Sequence, residues 1–419
     1  MINRLLNNYK FTITLSIVLY FSLIIGFFYG EDLNFGATMD WHGTNYPVIR
    51  DSAVDLKNTL LNYESYGHRH SPLYPIFLGQ FLKLGLSYEF IRFIHLNISI
   101  LLIYVFYKCL ILKFSEINKN ILLTLSLVIF LSPTFRSLAI WPDSRIIGVI
   151  FFTFSIYEYL KFKKNNSNIH IWKNLIYLII SSYVSPNFSV FIIYFFYNYL
   201  KILNLRTLIN ISIFSLIMSL PAFYYLFILD VNFLIANTPG TNNKELVGLS
   251  YNFSNKILII SSIFMFHVSP FLLNKEFLTN FFQNFKKITL FTIIVFIICL
   301  PFFNYSTNFT GGGIFFQISN FFLDNNYIFY FFSFLSLLLV GYFSYKNLNN
   351  FLIFFVLIIS NVQNTIYHKY YDPLILILFF TVFINPLSEY FFKKNINLFY
   401  LYSFYFVFIS LRIIKNSAF

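Results

Sequence analysis

Charge is what this chain has least of. Asp, Glu, Lys and Arg make up only 11% of its 419 residues, where a soluble globular chain carries roughly a quarter. Scarcity on that scale excludes an ordinary water-facing surface and leaves lipid as the solvent for most of the exterior. Cysteine is almost absent too. Cys109 and Cys299 both sit in apolar runs, which excludes a disulfide framework and supports no zinc site. No linker rich in Pro or Ser and no internal repeat divides the sequence, so 1–419 reads as a single membrane domain. His-Glu-x-x-His, Gly-x-Ser-x-Gly and P-loop patterns are missing as well, and with them the usual motifs of metalloproteases, serine hydrolases and nucleotidases.

What the chain does have is hydrophobicity: 58% apolar residues, among them 60 Phe and 32 Tyr, and a mean hydropathy of +0.69. After Arg4 and Lys10 comes an uncharged run, 11–30. It is longer than the apolar stretch of a cleaved signal and matches about 30 Å of hydrocarbon. It therefore reads as a retained first helix. Further runs lie at 89–112, 120–139, 144–162, a pair within 172–200, 207–229, 257–274, 288–303, 326–345, 351–367, 372–391 and 396–414. The stretch 73–86 is too short to span and reads as interfacial or re-entrant. The expected fold is all-α and polytopic, with about 11–13 transmembrane helices.

Basic clusters at Lys113/Lys119, Lys161/Lys163/Lys164, Lys201/Arg206, Lys286/Lys287, Lys346 and Lys393/Lys394 fall on one side of this arrangement. The formal net charge of +13 gathers there, which makes that side cytoplasmic by the positive-inside rule. The basic balance thus reports topology and gives no sign of nucleic acid. The N-terminus is expected in the cytoplasm and the chain in a bacterial inner (plasma) membrane.

Three polar features lie on the opposite, outer side. The loop 31–88 holds Glu31, Asp32, Asp40, Asp51, Asp55 and Glu64, then His68, Arg69 and His70. Loops this long are usually functional; the alternative is a solvated loop whose charges merely keep it in water. A turn of a few residues follows Ser132-Pro133-Thr134-Phe135-Arg136 and contains Trp141-Pro142-Asp143-Ser144-Arg145. Charges at the hydrocarbon edge are expensive unless paired or used. The turn therefore holds either an internal Asp143–Arg145 or Asp143–Arg136 ion pair, or an acid with arginines for an anion. Third, Asn364-Thr365-Ile366-Tyr367-His368-Lys369-Tyr370-Tyr371-Asp372-Pro373 is a sharp polar break between two apolar helices. Lys369 is either an interfacial anchor or a cation for a phosphate at headgroup level. Gly311-Gly312-Gly313 implies a flexible or closely approached backbone without the context of a phosphate loop. His267, inside a span, reads as a helix–helix contact rather than a ligand.

The order of these elements resembles the GT-C class of membrane glycosyltransferases over the whole chain, through short motifs. Met39-Asp40-Trp41-His42 resembles that class's acidic position in the first outer loop. His70-Ser71-Pro72-Leu73-Tyr74-Pro75 is similar to its entry into a juxtamembrane helix, and Glu89-Phe90-Ile91-Arg92 to the start of its second span. Phe135-Arg136-Ser137 with Trp141-Pro142-Asp143 resembles its second acidic motif. Tyr367 to Pro373 resembles its late Arg-Tyr-x-x-Pro turn, with Lys369 where Arg is usual, and Asn174–Leu200, broken at Ser185-Pro186-Asn187, its helix pair with a shallow outer turn. The acidic pair is not adjacent, so Asp51 competes with Asp40 for the role. The lack of a long C-terminal outer domain speaks against the oligosaccharyltransferase branch.

What the resemblance implies is inverting transfer of a sugar from a polyprenyl-phosphate or -diphosphate donor to a hydroxyl of a glycan, lipid or protein acceptor at the outer, periplasmic face. Asp40 would be the base and Asp143 would bind acceptor or orient a base. His68, Arg69, His70, Arg136, Arg145, His368, Lys369 and Tyr370 would bind substrate. No cofactor is implied, and no spacing indicates a divalent metal. The rivals are a transporter or flippase of sugars or lipid-linked sugars, which usually carries its polar features near the midplane in two related halves, and an O-antigen-type polymerase or ligase.

Overall fold

The computed structural model describes residues 9–33, 36–67, 71–228, 251–272, 274–306 and 311–418. Every regular element among them is helical and there is no β-strand. Five helices are long and apolar enough to cross a bilayer: Tyr9–Phe28, Tyr88–Lys113, Leu205–Phe223, Tyr327–Tyr345 and Ile396–Asn416. The number rises to eight if each of three bent helix pairs is one span. The chain is thus an all-helical, polytopic integral membrane protein.

The spread between this number and the dozen apolar runs has identifiable causes. The run 120–139 folds as Lys119–Leu131 followed by Pro133–Ile140, bent by 68°. Pro133 has no N–H to continue the ladder, and Ser132 leaves the helical region and caps the next helix through its hydroxyl, which accepts from Phe135 N at 3.0 Å. The run 372–391 is likewise Leu374–Thr381 and Pro386–Lys393 at 88°, broken at Pro386 with Asn385 as the N-cap. Ser144–Asn165 has the length, at 22 residues, but Arg145, Glu158, Lys161, Lys163 and Lys164 load it with charge. Phe253–Val268 has only 16 residues. Leu73–Lys83, at 11 residues, is short of a span.

The chain divides into two compact units, one comprising 3–244 with 405–419 and the other 245–404. In the first unit the loop after Tyr9–Phe28 folds as short helices: Ala37–Asp40, a π-helical turn Trp41–Asn45, Tyr46–Val54, Leu56–Leu61 and Leu73–Lys83. Tyr46–Val54 lies directly on Leu73–Lys83. Gly79 permits this, because a Cβ there would meet Ile49 O at 2.9 Å. Ser144–Asn165 packs along Asn168–Val184. The contact closes at Gly148, where a Cβ would meet the Ser185 side chain at 2.6 Å. The break read at Ser185-Pro186-Asn187 is present, as a 3-10 turn Pro186–Phe191 leading into Ile192–Leu200.

The second unit centres on Phe253–Val268, which packs against Tyr327–Lys346 and Leu348–Ile359. Its buried Asn350 ties the turn before its own helix to the distant chain, donating to Phe343 O at 3.0 Å and Ile384 O at 2.7 Å.

Candidate functional site

In the first unit the candidate residues converge on Arg145. Asp143 caps the helix Ser144–Asn165, its Oδ1 accepting from Arg145 N at 2.7 Å. The Arg145 side chain folds back on the same carboxylate, donating from Nε to Oδ1 at 3.1 Å and from Nη2 to Oδ2 at 2.9 Å. Nη2 also lies 3.5 Å from Asp40 Oδ2. The Asp143 side chain is 3% exposed and that of Asp40 42%. One carboxylate is therefore sunk behind the guanidinium and the other sits in front of it, open to solvent. Asn45 pins the loop to the turn by donating to Pro142 O at 3.2 Å. Of the two ion pairs weighed from sequence, Asp143–Arg145 forms.

Arg136 has a different partner. Its Nε donates to Glu31 Oε1 at 2.5 Å and Nη2 to Oε2 at 2.7 Å. The remaining N–H groups reach Ser22 Oγ, Ser22 O and Phe130 O. All five donors are committed, so this arginine has none left for a substrate anion. It clamps the end of the first helix to Pro133–Ile140. Gly26 leaves the room, since a Cβ there would stand 2.5 Å from Glu31 Oε2.

An aromatic wall stands beside Asp40. Trp41 Nε1 donates to Tyr88 Oη at 2.6 Å, and Tyr46 meets Tyr88 edge to face at 4.9 Å. The exposed His42 stacks on Tyr88 at 6.4 Å and tilts against Trp141 at 5.6 Å. Arg92 lies under this wall, its Cζ 3.7 Å from the Trp141 ring centroid, while its Nε donates to Ile140 O at 3.3 Å. Trp141 in turn donates to Glu31 O at 3.1 Å. Sequence reasoning left Glu31 and Trp141 without roles. Arg92 was legible as a charge inside an apolar run, which is seldom idle.

Asp51, the competitor for Asp40's role, is held elsewhere. Its carboxylate accepts from Arg50 Nε at 2.8 Å and from Tyr66 Oη at 2.9 Å. The Arg50 hydrogen bond, helped by Tyr66, holds its pKa below the usual carboxylate range. His68, Arg69 and His70 lie outside the described residues. The segment after them is anchored by Tyr74, whose hydroxyl hydrogen-bonds His95 Nδ1. His95 Nε2 lies 2.8 Å from Leu138 O. A carbonyl can only accept, so Nε2 carries the proton and Nδ1 accepts from Tyr74. Burial, with the Asp143 charge adding to it, pushes the Tyr74 phenol well above its ordinary pKa.

The second unit holds His368, Lys369 and Tyr370. His368 is buried and its Nε2 lies 3.1 Å from His267 Nε2, so the partner of His267 is the 3-10 turn His368–Tyr370 rather than a second spanning helix. Lys369 Nζ stands 5.2 Å over the Tyr367 ring, and Tyr370 donates to Gln363 Oε1 at 3.3 Å. The glycine triplet packs against the same segment. Gly311, Gly312 and Gly313 all have positive φ, Gly312 N donates to Ile366 O at 2.9 Å, and a Cβ on Gly311 would meet that oxygen at 2.6 Å. Tyr305 completes the junction by accepting from Ile366 N at 3.2 Å, and burial raises its phenol pKa. Close approach, rather than flexibility, is what these glycines provide. Among the described residues no cluster of three or more His, Cys, Asp or Glu is arranged to hold a metal ion.

No protein-family model, no curated protein and no solved structure matches this chain.

Proposed function

We propose that this chain is a membrane glycosyltransferase acting at the outer face of the plasma membrane. It would move a sugar from a polyprenyl-phosphate or -diphosphate donor to an acceptor hydroxyl by inverting single displacement. The observation that carries the reading is the pairing of an open and a buried carboxylate on one arginine, beside an aromatic cluster in which His42 is exposed and Tyr46 and Tyr88 are half-buried. Rings offer faces to the C–H side of a sugar, and a solvent-accessible carboxylate within reach of its hydroxyls can act as a base.

In this reading Asp40 takes the proton of the acceptor hydroxyl as that oxygen bonds to the anomeric carbon. The bond from that carbon to the phosphate oxygen breaks, and the phosphate leaves with the electron pair. Asp40 then releases its proton to water. Arg145, fixed by Asp143, holds Asp40 in place. Asp143 is thus a positioning residue, too deeply sunk to touch an acceptor itself. Lys369, with His368 and Tyr370, is the candidate set for the leaving phosphate by the family resemblance; positive charge placed there would stabilise the departing anion.

The test is transfer of radiolabelled sugar from polyprenyl-phosphate donors in membranes holding matched amounts of wild type, Asp40→Asn and Lys369→Ala. Label reaching an acceptor in wild type and not in Asp40→Asn supports the reading. Full transfer by Asp40→Asn removes Asp40 as the base. A donor never consumed, together with movement of lipid-linked sugar across sealed vesicles, replaces the enzyme with a transporter.

A further inference from the structure

A second polar concavity lies in the unit 245–404, at the N-terminal end of the helix Phe253–Val268. It is a cavity of about 470 Å³ lined, among the described residues, by Tyr251, Asn252, Phe253, Ser254, Pro301, Phe302 and Asn304, none of them charged. That volume is within the ~300–1,000 Å³ of small-molecule sites. Three asparagines interlock at its floor. Asn252 and Asn255 donate from Nδ2 to Asn304 Oδ1 at 2.7 and 2.9 Å. Asn304 N donates back to Asn255 Oδ1 at 3.0 Å.

Two donors on one oxygen fix which way the Asn304 carboxamide is turned. Its Nδ2, with two N–H groups, must then face away from the other asparagines, and it has no partner among the described residues. Around it stand Tyr251, Phe253 and Phe302, with 78%, 48% and 64% of their surfaces exposed. A pre-oriented amide donor, carbonyl and amide oxygens, bare aromatic faces and no charge among the described lining residues together suit a neutral polyol: hydroxyls bond the amide while C–H faces lie on rings.

We propose that this pocket binds a neutral saccharide, with Asn304 Nδ2 as its hydrogen-bond donor and Phe302 as a stacking face. The proposal rests on the glycosyltransferase reading and gives that enzyme an acceptor of uncharged sugar. The saccharide is either free or carried on a glycolipid.

The experiment uses the full chain in nanodiscs. Saturation-transfer NMR titrates maltotetraose, chitotetraose and mannotetraose as free probes, and a parallel arm incorporates a neutral diglucosyl lipid in the disc and measures its protection of a reporter thiol, Ser254→Cys in the pocket lining, from labelling. Asn304→Asp keeps the accepting oxygen and removes both donors; Phe302→Leu keeps volume and removes the ring. Saturable binding in wild type that weakens about tenfold in each variant, at unchanged thermal midpoint, supports the site. Success of only one arm identifies the source. Binding unaffected by both variants overturns the proposal, as does no saturable binding in either arm. Saccharide binding lost in Asn304→Asp, alongside full sugar transfer by Asp40→Asn, would remove Asp40 as the base and leave this site standing.

Discussion

Arg136 grips Glu31 at two points, at 2.5 and 2.7 Å, and so joins the end of the first helix to Pro133–Ile140. Removing one partner leaves the other charge little exposed and uncompensated. Arg136→Met or Glu31→Gln should therefore destabilise the protein by about 3 kcal/mol, and the double substitution should restore much of the loss. Thermal unfolding in detergent reads this. Gly26→Ala should act in the same direction by pushing on Glu31 Oε2.

Asp40 and Asp143 should differ in kinetic signature. Asp40→Asn removes the proposed base and should lower kcat by about 10²–10⁴. Asp143→Asn should loosen Arg145, giving a smaller loss together with reduced stability, because it breaks a buried pair. Single-turnover transfer and thermal midpoints, measured on both variants, separate the two. Equal kinetic losses with equal stability would contradict the division of roles.

Asp51 titrates below the ordinary carboxylate range because of Arg50 and Tyr66. A depressed folded-state pKa contributes stability above the unfolded value, and that contribution disappears as pH falls through the folded value. Tyr66→Phe should move the Asp51 midpoint upward, as followed by carboxyl NMR. The pair is largely exposed, with side chains 59% and 34% accessible. Its effect on stability at neutral pH should stay within about 1 kcal/mol.

The glycine triplet should tolerate substitution poorly. Gly311→Ala must strain a backbone at φ +112 and push against Ile366 O, at a cost of about 1–3 kcal/mol. Gly43→Ala, where nothing lies within 4 Å, should be neutral. Thermal midpoints of the two variants make the comparison.

Topology reporters test the charge argument. Cysteines at His42 and Lys201 should label from opposite sides of sealed membranes, with Lys201 on the cytoplasmic side. Labelling from the same side would reverse or break the assigned order of spans.

Composition and the spacing of apolar runs determined that this is a helical membrane protein, because an exterior with so little charge has only lipid to face. Residue chemistry also marked the break at Ser185-Pro186-Asn187, whereas Pro133 and Pro386 fell inside the runs 120–139 and 372–391, which read as continuous and are bent in the structure. The tertiary structure decided what each charge does. From sequence, Arg136 and Arg145 were equivalent claimants for Asp143. Three-dimensional proximity gave Arg145 both Asp143 and Asp40, while Glu31, 105 positions from Arg136, took the other arginine. Pairing in a low-dielectric interior is settled by which opposite charges come into contact, and that follows from how helices pack, which linear order does not record.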